Sequence, residues 1–158
     1  MRMRYSLTKL PELIPEIGAF TLPAITNEEV ECPVTNHFDE GVYLREVTLP
    51  TNSYILGKKH KHSCINILSK GKMILIDITT GDKQLLEAPY TFVSNAGVQK
   101  LAYIIEECVW CNVHTNIDNT RDLDVLEDRL IEKEEGYVLG NGRNGCSISS
   151  ISNARAES

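Results

Sequence analysis

The stretch "GKKHKHSC", Gly57 to Cys64, places two histidines one residue apart. In an extended strand, residues two apart project to the same face, so His60 and His62 are expected to point together, with Cys64 and Asn66 continuing the row. Two imidazoles on one face are the beginning of a site for Zn, Fe, Mn, Cu or Ni. A third and fourth donor would have to converge from distant parts of the chain. The same pair also reads as hydrogen-bonded, half-buried histidines lining a pocket.

Other constellations carry less. "CVWC", Cys108 to Cys111, has C-x-x-C spacing, but in a strand residues three apart face opposite sides, which disfavours redox or zinc use and favours buried small residues. "GNGRNG", ending at Gly145, neither follows a buried strand nor opens a helix, so it reads as linker rather than phosphate loop. No Ser/His/Asp arrangement or close carboxylate pair stands out, and no catalytic residue is assigned. Trp110, Tyr43, Tyr54, Tyr90, Phe92 and Tyr103 are expected to pack in a core.

These residues need elements to position them. From Gly41 to His114 the chain is a series of short runs rich in Val, Ile, Tyr and Thr: "GVYLREVTL", "SYILG", "HSCINILS", "KMILIDI", "KQLLEA", "YTFVS", "KLAYIIE" and "CVWCNVH". Turn-like separators such as "SKGK", "TTGD", "SNAG" and "EE" lie between them. Closely spaced strands with no helix among them predict a mainly β, antiparallel sandwich or barrel. After the strands, "NTRDLDVLEDRLIEKEE" aligns Leu123, Leu126 and Leu130 on one helical face, with Asn119 or Thr120 as N-cap. The expected organisation is a proline-rich arm over 1–36, a barrel over 37–116, an amphipathic helix over 117–135 and a flexible Gly/Ser-rich tail over 136–158.

The 158 residues suffice for one domain with a core. A formal net charge of -6 argues against a nucleic-acid surface, and the basic clusters Arg2, Arg4 and Lys58, Lys59, Lys61 read as solvated charge. No window has the apolar length of a membrane span, and the N-terminal residues lack a signal-peptide core, so a soluble intracellular protein is expected. Five cysteines in no scaffold-like spacing are expected to be reduced and mostly buried.

The residues also carry a family resemblance. Gly57 followed by His60-x-His62 looks like the first motif of the cupin superfamily, and "SNAGVQK" is similar to its second, with Gly97 retained and Asn95 in place of a proline. The resemblance implies a double-sheet jelly-roll barrel in which His60 and His62 match two ligand histidines. The position of the ligand glutamate falls on Asn66, and that of the last histidine on Lys100. An ammonium has no lone pair for a cation, and Asn66 offers only a neutral oxygen. His114, sharing a face with Asn112 and Trp110, is one replacement donor, so the metal reading takes His60, His62 and His114; His37 and Cys64 are more remote. Alternatively His60, His62, Asn66 and Lys100 line a pocket for a small anion, since cations facing a concavity attract carboxylate or phosphate.

A closer likeness runs over roughly residues 31–131. "GVYLRE", "LP", H-x-H, "NILSKG", "TFVS-x-x-G" and "VW-x-x-x-H", in that order, resemble small cupin-like proteins encoded by tailed bacteriophages. The resemblance implies a phage origin and no particular reaction. The expectation that follows is a non-enzymatic virion or assembly component, partnered by itself as a homo-oligomer and by other phage structural proteins, in host cytoplasm or in the virion. Neither nucleic acid nor membrane is an expected partner, and no cofactor is expected. The alternatives are a cupin enzyme holding Zn, Fe, Mn or Ni, and a binder of a small-molecule ligand.

Overall fold

A computed structural model describes residues 30–132. Most of the arm expected over 1–36 and all of the tail expected over 136–158 lie outside the described residues. The elements are β1 (Val34–Asp39), β2 (Gly41–Leu49), β3 (Tyr54–Leu56), β4 (Cys64–Asp77), β5 (Lys83–Glu87), β6 (Tyr90–Ser94), β7 (Lys100–Asn116) and the helix α1 (Leu123–Leu130). The strands form one seven-stranded sheet in the order β1-β2-β7-β4-β5, with β3 joining β7 and β6 joining β4. Every pairing is antiparallel.

The long strands β4 and β7 are the spine. The C-terminal part of β7 pairs with β2 and its N-terminal part with β3; the N-terminal part of β4 pairs with β6 and its C-terminal part with β5. Each long strand therefore serves two sheets, and the single sheet folds over into a jelly-roll barrel. The fold happens at register shifts between Leu68 and Met73, opposite Glu106 to Val109. Those are the "SKGK" and "EE" segments, where the sequence predicts turns. Extra residues in one strand bend it and raise its twist while the ladder resumes beyond, so the predicted turns are bulges and two pairs of expected strands are continuous. Gly71, at the bend, has φ +93°, and a Cβ there would lie 2.8 Å from Cys108 Cα and against the Glu107 carbonyl oxygen. Only glycine allows the two strands to approach so closely.

Inside, Leu49, Leu68, Met73, Leu75, Leu86 and Ile104 form the buried core, joined by Cys32 and Cys108. Tyr54 and Tyr103 are buried as expected, whereas Tyr90 is 37% exposed. β1 starts at Val34, inside the stretch expected as arm, and Pro33 accepts a hydrogen bond from Thr48 N at 2.9 Å.

The helix α1 starts at Asp122, whose carboxylate accepts from Asp124 N at 3.0 Å and Val125 N at 3.3 Å. Asn119 and Thr120, the expected caps, instead serve the preceding turn: Asn119 Oδ1 accepts from Gly41 N at 2.7 Å, and Thr120 Oγ1 accepts from Asp122 N at 3.2 Å. Leu126 is buried, and α1 is strapped to the segment Gly57–Lys61. Lys61 N donates to Leu130 O at 2.8 Å and Glu132 N to Lys59 O at 2.9 Å. Lys58 pairs with Glu127 at 2.6 Å and Lys59 with Glu132 at 3.1 Å. The lysines read as solvated charge therefore fasten the helix across the barrel.

Candidate ligand pocket

Three side chains expected to matter meet at one end of the barrel. Asn66 pairs with Asn112 and Ile65 with Val113, so the next position along β4, Cys64, lies across from His114 on β7. His60 approaches from the segment under α1, where it bridges to Ile131. The donor atoms of His60, Cys64 and His114 lie within 4.8 Å of one another, with His60 Nδ1 3.9 Å from Cys64 Sγ. The two imidazoles are nearly parallel, ring centroids 5.2 Å apart, and Tyr43 continues the stack beyond His114 at 6.0 Å.

His62 does not join them. It is exposed and absent from the cavity wall, because the chain is bent rather than extended between the His60 bridge and the start of β4. The alternation that would put both histidines on one face holds only in a strand. His37 lies on the outer side of β1, 3.8 Å from Glu46, and Cys108 and Cys111 are separate buried thiols.

Asn66 is an organiser. Its Oδ1 accepts from Trp110 Nε1 at 3.1 Å and Asn112 Nδ2 at 2.7 Å, and its Nδ2 donates to Ser94 Oγ at 2.9 Å. The two donors facing Oδ1 define the orientation of the amide and occupy both of its lone pairs. It therefore has no lone pair free for an ion at the position where a cupin glutamate would ligate.

The pocket is a cavity of about 270 Å³. Val47, Leu49, Ile55, Ala102 and Trp110 provide apolar wall, Asn36, Ser94 and Asn112 provide neutral polar groups, and Arg45, Lys58 and Lys100 provide cations. The inward face of α1 closes one side with Leu123, Leu126 and Leu130. Lys100 Nζ sits 4.7 Å from the centre of the Phe92 ring. Among the described residues, no carboxylate lies within ion-pair distance of it.

Burial, and then the charges of Arg45 and Lys58, push His60 down to about 4; burial, then His60, Arg45 and His62, push His114 down to about 4. Both rings are thus neutral at pH 7, each with one N–H and one lone pair. Burial raises the Cys64 thiol, against the lowering influence of the Asn66 hydrogen bond and Lys100. Burial also lowers Lys100, opposed by Asp77 and Cys64.

Two imidazoles and a thiol suit Zn or another thiophilic ion by chemistry, so the cluster allows a metal. Around zinc, nitrogen and sulfur donors stand roughly 3.3–3.7 Å apart, so the trio would have to draw in. Arg45, Lys58 and Lys100 line the cavity together with the α1 carboxylates Asp124 and Glu127, of which Glu127 pairs with Lys58, and the cluster itself contains no carboxylate. Within the trio, a dication gains charge compensation only by deprotonating Cys64, whereas an anion at Lys100 needs no such change.

Arg45 had no place in the sequence-level site. It stands in the alternating row Tyr43, Arg45, Val47, Leu49 of β2, and that alternation was legible, but which side of the strand faces inward was not.

No protein-family model and no curated protein matches the sequence. Solved structures match in fold. The salicylate 1,2-dioxygenase from Pseudoaminobacter salicylatoxidans superposes with a TM-score of 0.51 and 11% identity, over 67% of this chain and 31% of that one. The polyketide cyclase RemF from Streptomyces resistomycificus gives 0.48 and 14%, over 55% of this chain and 66% of that one, and the Clostridium difficile EutQ protein gives 0.45 and 10%. The match spans about a third of the dioxygenase and about two thirds of the cyclase. At such identities the likeness is one of fold alone. The superposition on the dioxygenase supports the fold that the strand order defines, an antiparallel jelly-roll barrel.

Proposed function

We propose that the barrel binds a small organic anion, with a carboxylate or comparable group directed to Lys100 and an apolar body against Val47, Leu49 and Trp110. The observation that carries this reading is Lys100, a half-buried ammonium lining the cavity with no carboxylate in ion-pair reach among the described residues. A buried cation stripped of water gains from a counter-ion. Neutral His60 and His114 add hydrogen-bond donors and acceptors without adding charge. By proportion to a 150 Å³ cavity that takes benzene, the space suits a ligand of about ten non-hydrogen atoms.

A thermal-shift and calorimetric panel of small aromatic and branched aliphatic monocarboxylates, with sugar phosphates alongside, tests this. The expected outcome is saturable stabilisation by at least one anion, growing with concentration as mass action requires. Lys100→Met should weaken it at least about tenfold, or 1.4 kcal/mol, the usual scale for losing a charge-assisted contact. Binding that survives Lys100→Met unchanged, or no response to any anion, would overturn the proposal. Elemental analysis of the same protein, purified without chelator, decides whether the His60, Cys64 and His114 trio holds metal.

The reading as a virion or assembly component draws on the phage resemblance and on terminal segments outside the described residues. It is compatible with a ligand-filled barrel. Mass spectrometry of purified particles tests it.

A further inference from the structure

His114 is only 8% exposed and lines the cavity, yet among the described residues neither of its ring nitrogens has a hydrogen-bond partner. Its orientation is fixed all the same, because the ring stands in a stack between His60 at 5.2 Å and Tyr43 at 6.0 Å. The side-chain nitrogen and oxygen atoms of the described residues that are both sealed and unpartnered are Gln99 Oε1 and Asn116 Oδ1, so the His114 nitrogens open onto the cavity. The neutral polar groups nearby are already engaged. Asn36 Oδ1 accepts from Tyr43 Oη at 2.7 Å, Asn112 Nδ2 donates to Asn66 Oδ1 at 2.7 Å, and Ser94 Oγ accepts from Asn66 Nδ2 at 2.9 Å. A buried polar group without a partner is costly, so His114 marks the place where a ligand supplies one.

His60 completes the arrangement. Its Nδ1 has the Cys64 thiol 3.9 Å away, a long and weak contact, and the donor atoms of His60 and His114 lie within 4.8 Å of each other. A single oxygen about 2.9 Å from each nitrogen spans such a gap at an angle of up to about 110°, close to the tetrahedral angle of a hydroxyl. Each ring is neutral, with one N–H and one lone pair, so a hydroxyl between them accepts from one and donates to the other. A carboxylate in the same place would face a lone pair that it cannot use. An ammonium would lie in the charge of Arg45, which bears on both rings.

We infer that the ligand is a hydroxy acid, its carboxylate on Lys100 and its hydroxyl bridging His60 and His114. This rests on the reading of the cavity as an anion site and adds the second polar group of the ligand. Lys100, His60 and His114 line one cavity of about 270 Å³, so a ligand of about ten non-hydrogen atoms reaches from one end to the other. Because the stack has already oriented the rings, holding the hydroxyl costs little further ordering.

Titration calorimetry on the full chain with matched pairs of acids tests it: benzoate against meta- and para-hydroxybenzoate, and isovalerate against beta-hydroxyisovalerate. In at least one pair the hydroxylated acid should bind about tenfold more tightly than its parent, the scale of two neutral hydrogen bonds. His114→Phe keeps a ring in the stack and removes both nitrogens, and it should bring the ratio of the two affinities close to one. Nuclear magnetic resonance of the imidazole nitrogens gives a second reading on the wild type. Of the four histidines, His60 and His114 should shift with the hydroxylated acid and far less with its parent. Pairs bound with equal affinity overturn the inference and leave the anion reading standing, whereas no binding of any acid overturns both. A hydroxyl preference that persists in His114→Phe, or His60 and His114 signals that stay in place, also overturns it. So does a preference abolished by EDTA, which would put the hydroxyl on a metal ion.

Discussion

Replacing Asn66 by alanine isolates the organiser of the pocket. The side chain is 2% exposed, and its loss strips the acceptor from Trp110 Nε1 and Asn112 Nδ2 and the donor from Ser94 Oγ. A buried donor left without a partner costs about 1–3 kcal/mol. Trp110, Asn112 and Ser94 all line the cavity, so water entering it can satisfy part of what is lost, and the total should fall at about 2–4 kcal/mol. At roughly 4 °C per kcal/mol for a chain of this size, Tm should drop by about 10 °C. Asn66→Asp gives a contrast. Aspartate still accepts from both N–H groups and Ser94 can turn its hydroxyl to donate, but its second oxygen would face Cys64 O, to which Asn66 Nδ2 donates at 3.2 Å, so Tm should fall here too. It also puts a further carboxylate into the cavity that Lys100 lines, and anion affinity should fall at least about tenfold. Differential scanning calorimetry and titration calorimetry on the two variants read these effects separately. An Asn66→Ala protein melting within about 2 °C of wild type would refute the network's structural role. An Asn66→Asp protein that binds anions as tightly as wild type would refute the electrostatic argument.

Acid should destabilise the fold through the pocket histidines. Both have folded pKa values of about 4, below the unfolded 6.5, so the unfolded state takes up protons first as pH falls. Their neutral forms leave stability intact above about pH 6.5, and on the order of 3 kcal/mol per imidazole is lost between there and about pH 4. Urea unfolding at pH 7.5 and 4.5 should show that loss, and His114→Gln should flatten the dependence; an unchanged profile in the variant would count against buried neutral rings. Gly71→Ala should be among the most damaging single substitutions, at roughly 3 kcal/mol or more, because a Cβ at positive φ would collide with the backbone at Glu107 and Cys108. A loss below about 1 kcal/mol in denaturant unfolding would show that the bend relaxes easily.

Much of the barrel could be read along the chain. The alternation and β-branched content of "GVYLREVTL" and "YTFVS" coincide with β2 and β6. Trp110, Asn112 and His114 share one face, as period two requires, and the structure turns that face inward. Local composition failed at "SKGK" and "EE", where glycine and charge signal a turn and a bulge alike; whether pairing resumes beyond depends on the strand opposite. It failed again at β1, whose polar "VTNHFD" becomes a strand because β2 offers it an edge.

What the sequence by itself determined is the element type along most of the barrel, the shared row of Trp110, Asn112 and His114 on the last strand and the antiparallel sandwich-or-barrel class, since these rest on side-chain periodicity and local turn chemistry; the jelly roll was implied by the family resemblance. Only the tertiary structure decided the site. His60 turns inward and His62 outward because the segment between Gly57 and Lys61 is bound to α1 by backbone hydrogen bonds and lysine ion pairs, rather than extended in the sheet. Cys64 meets His114 through the register of β4 on β7, and Arg45 joins the cavity because that side of β2 faces in. Each of these depends on which distant backbone a residue is hydrogen-bonded to, and local periodicity carries no information about that partner.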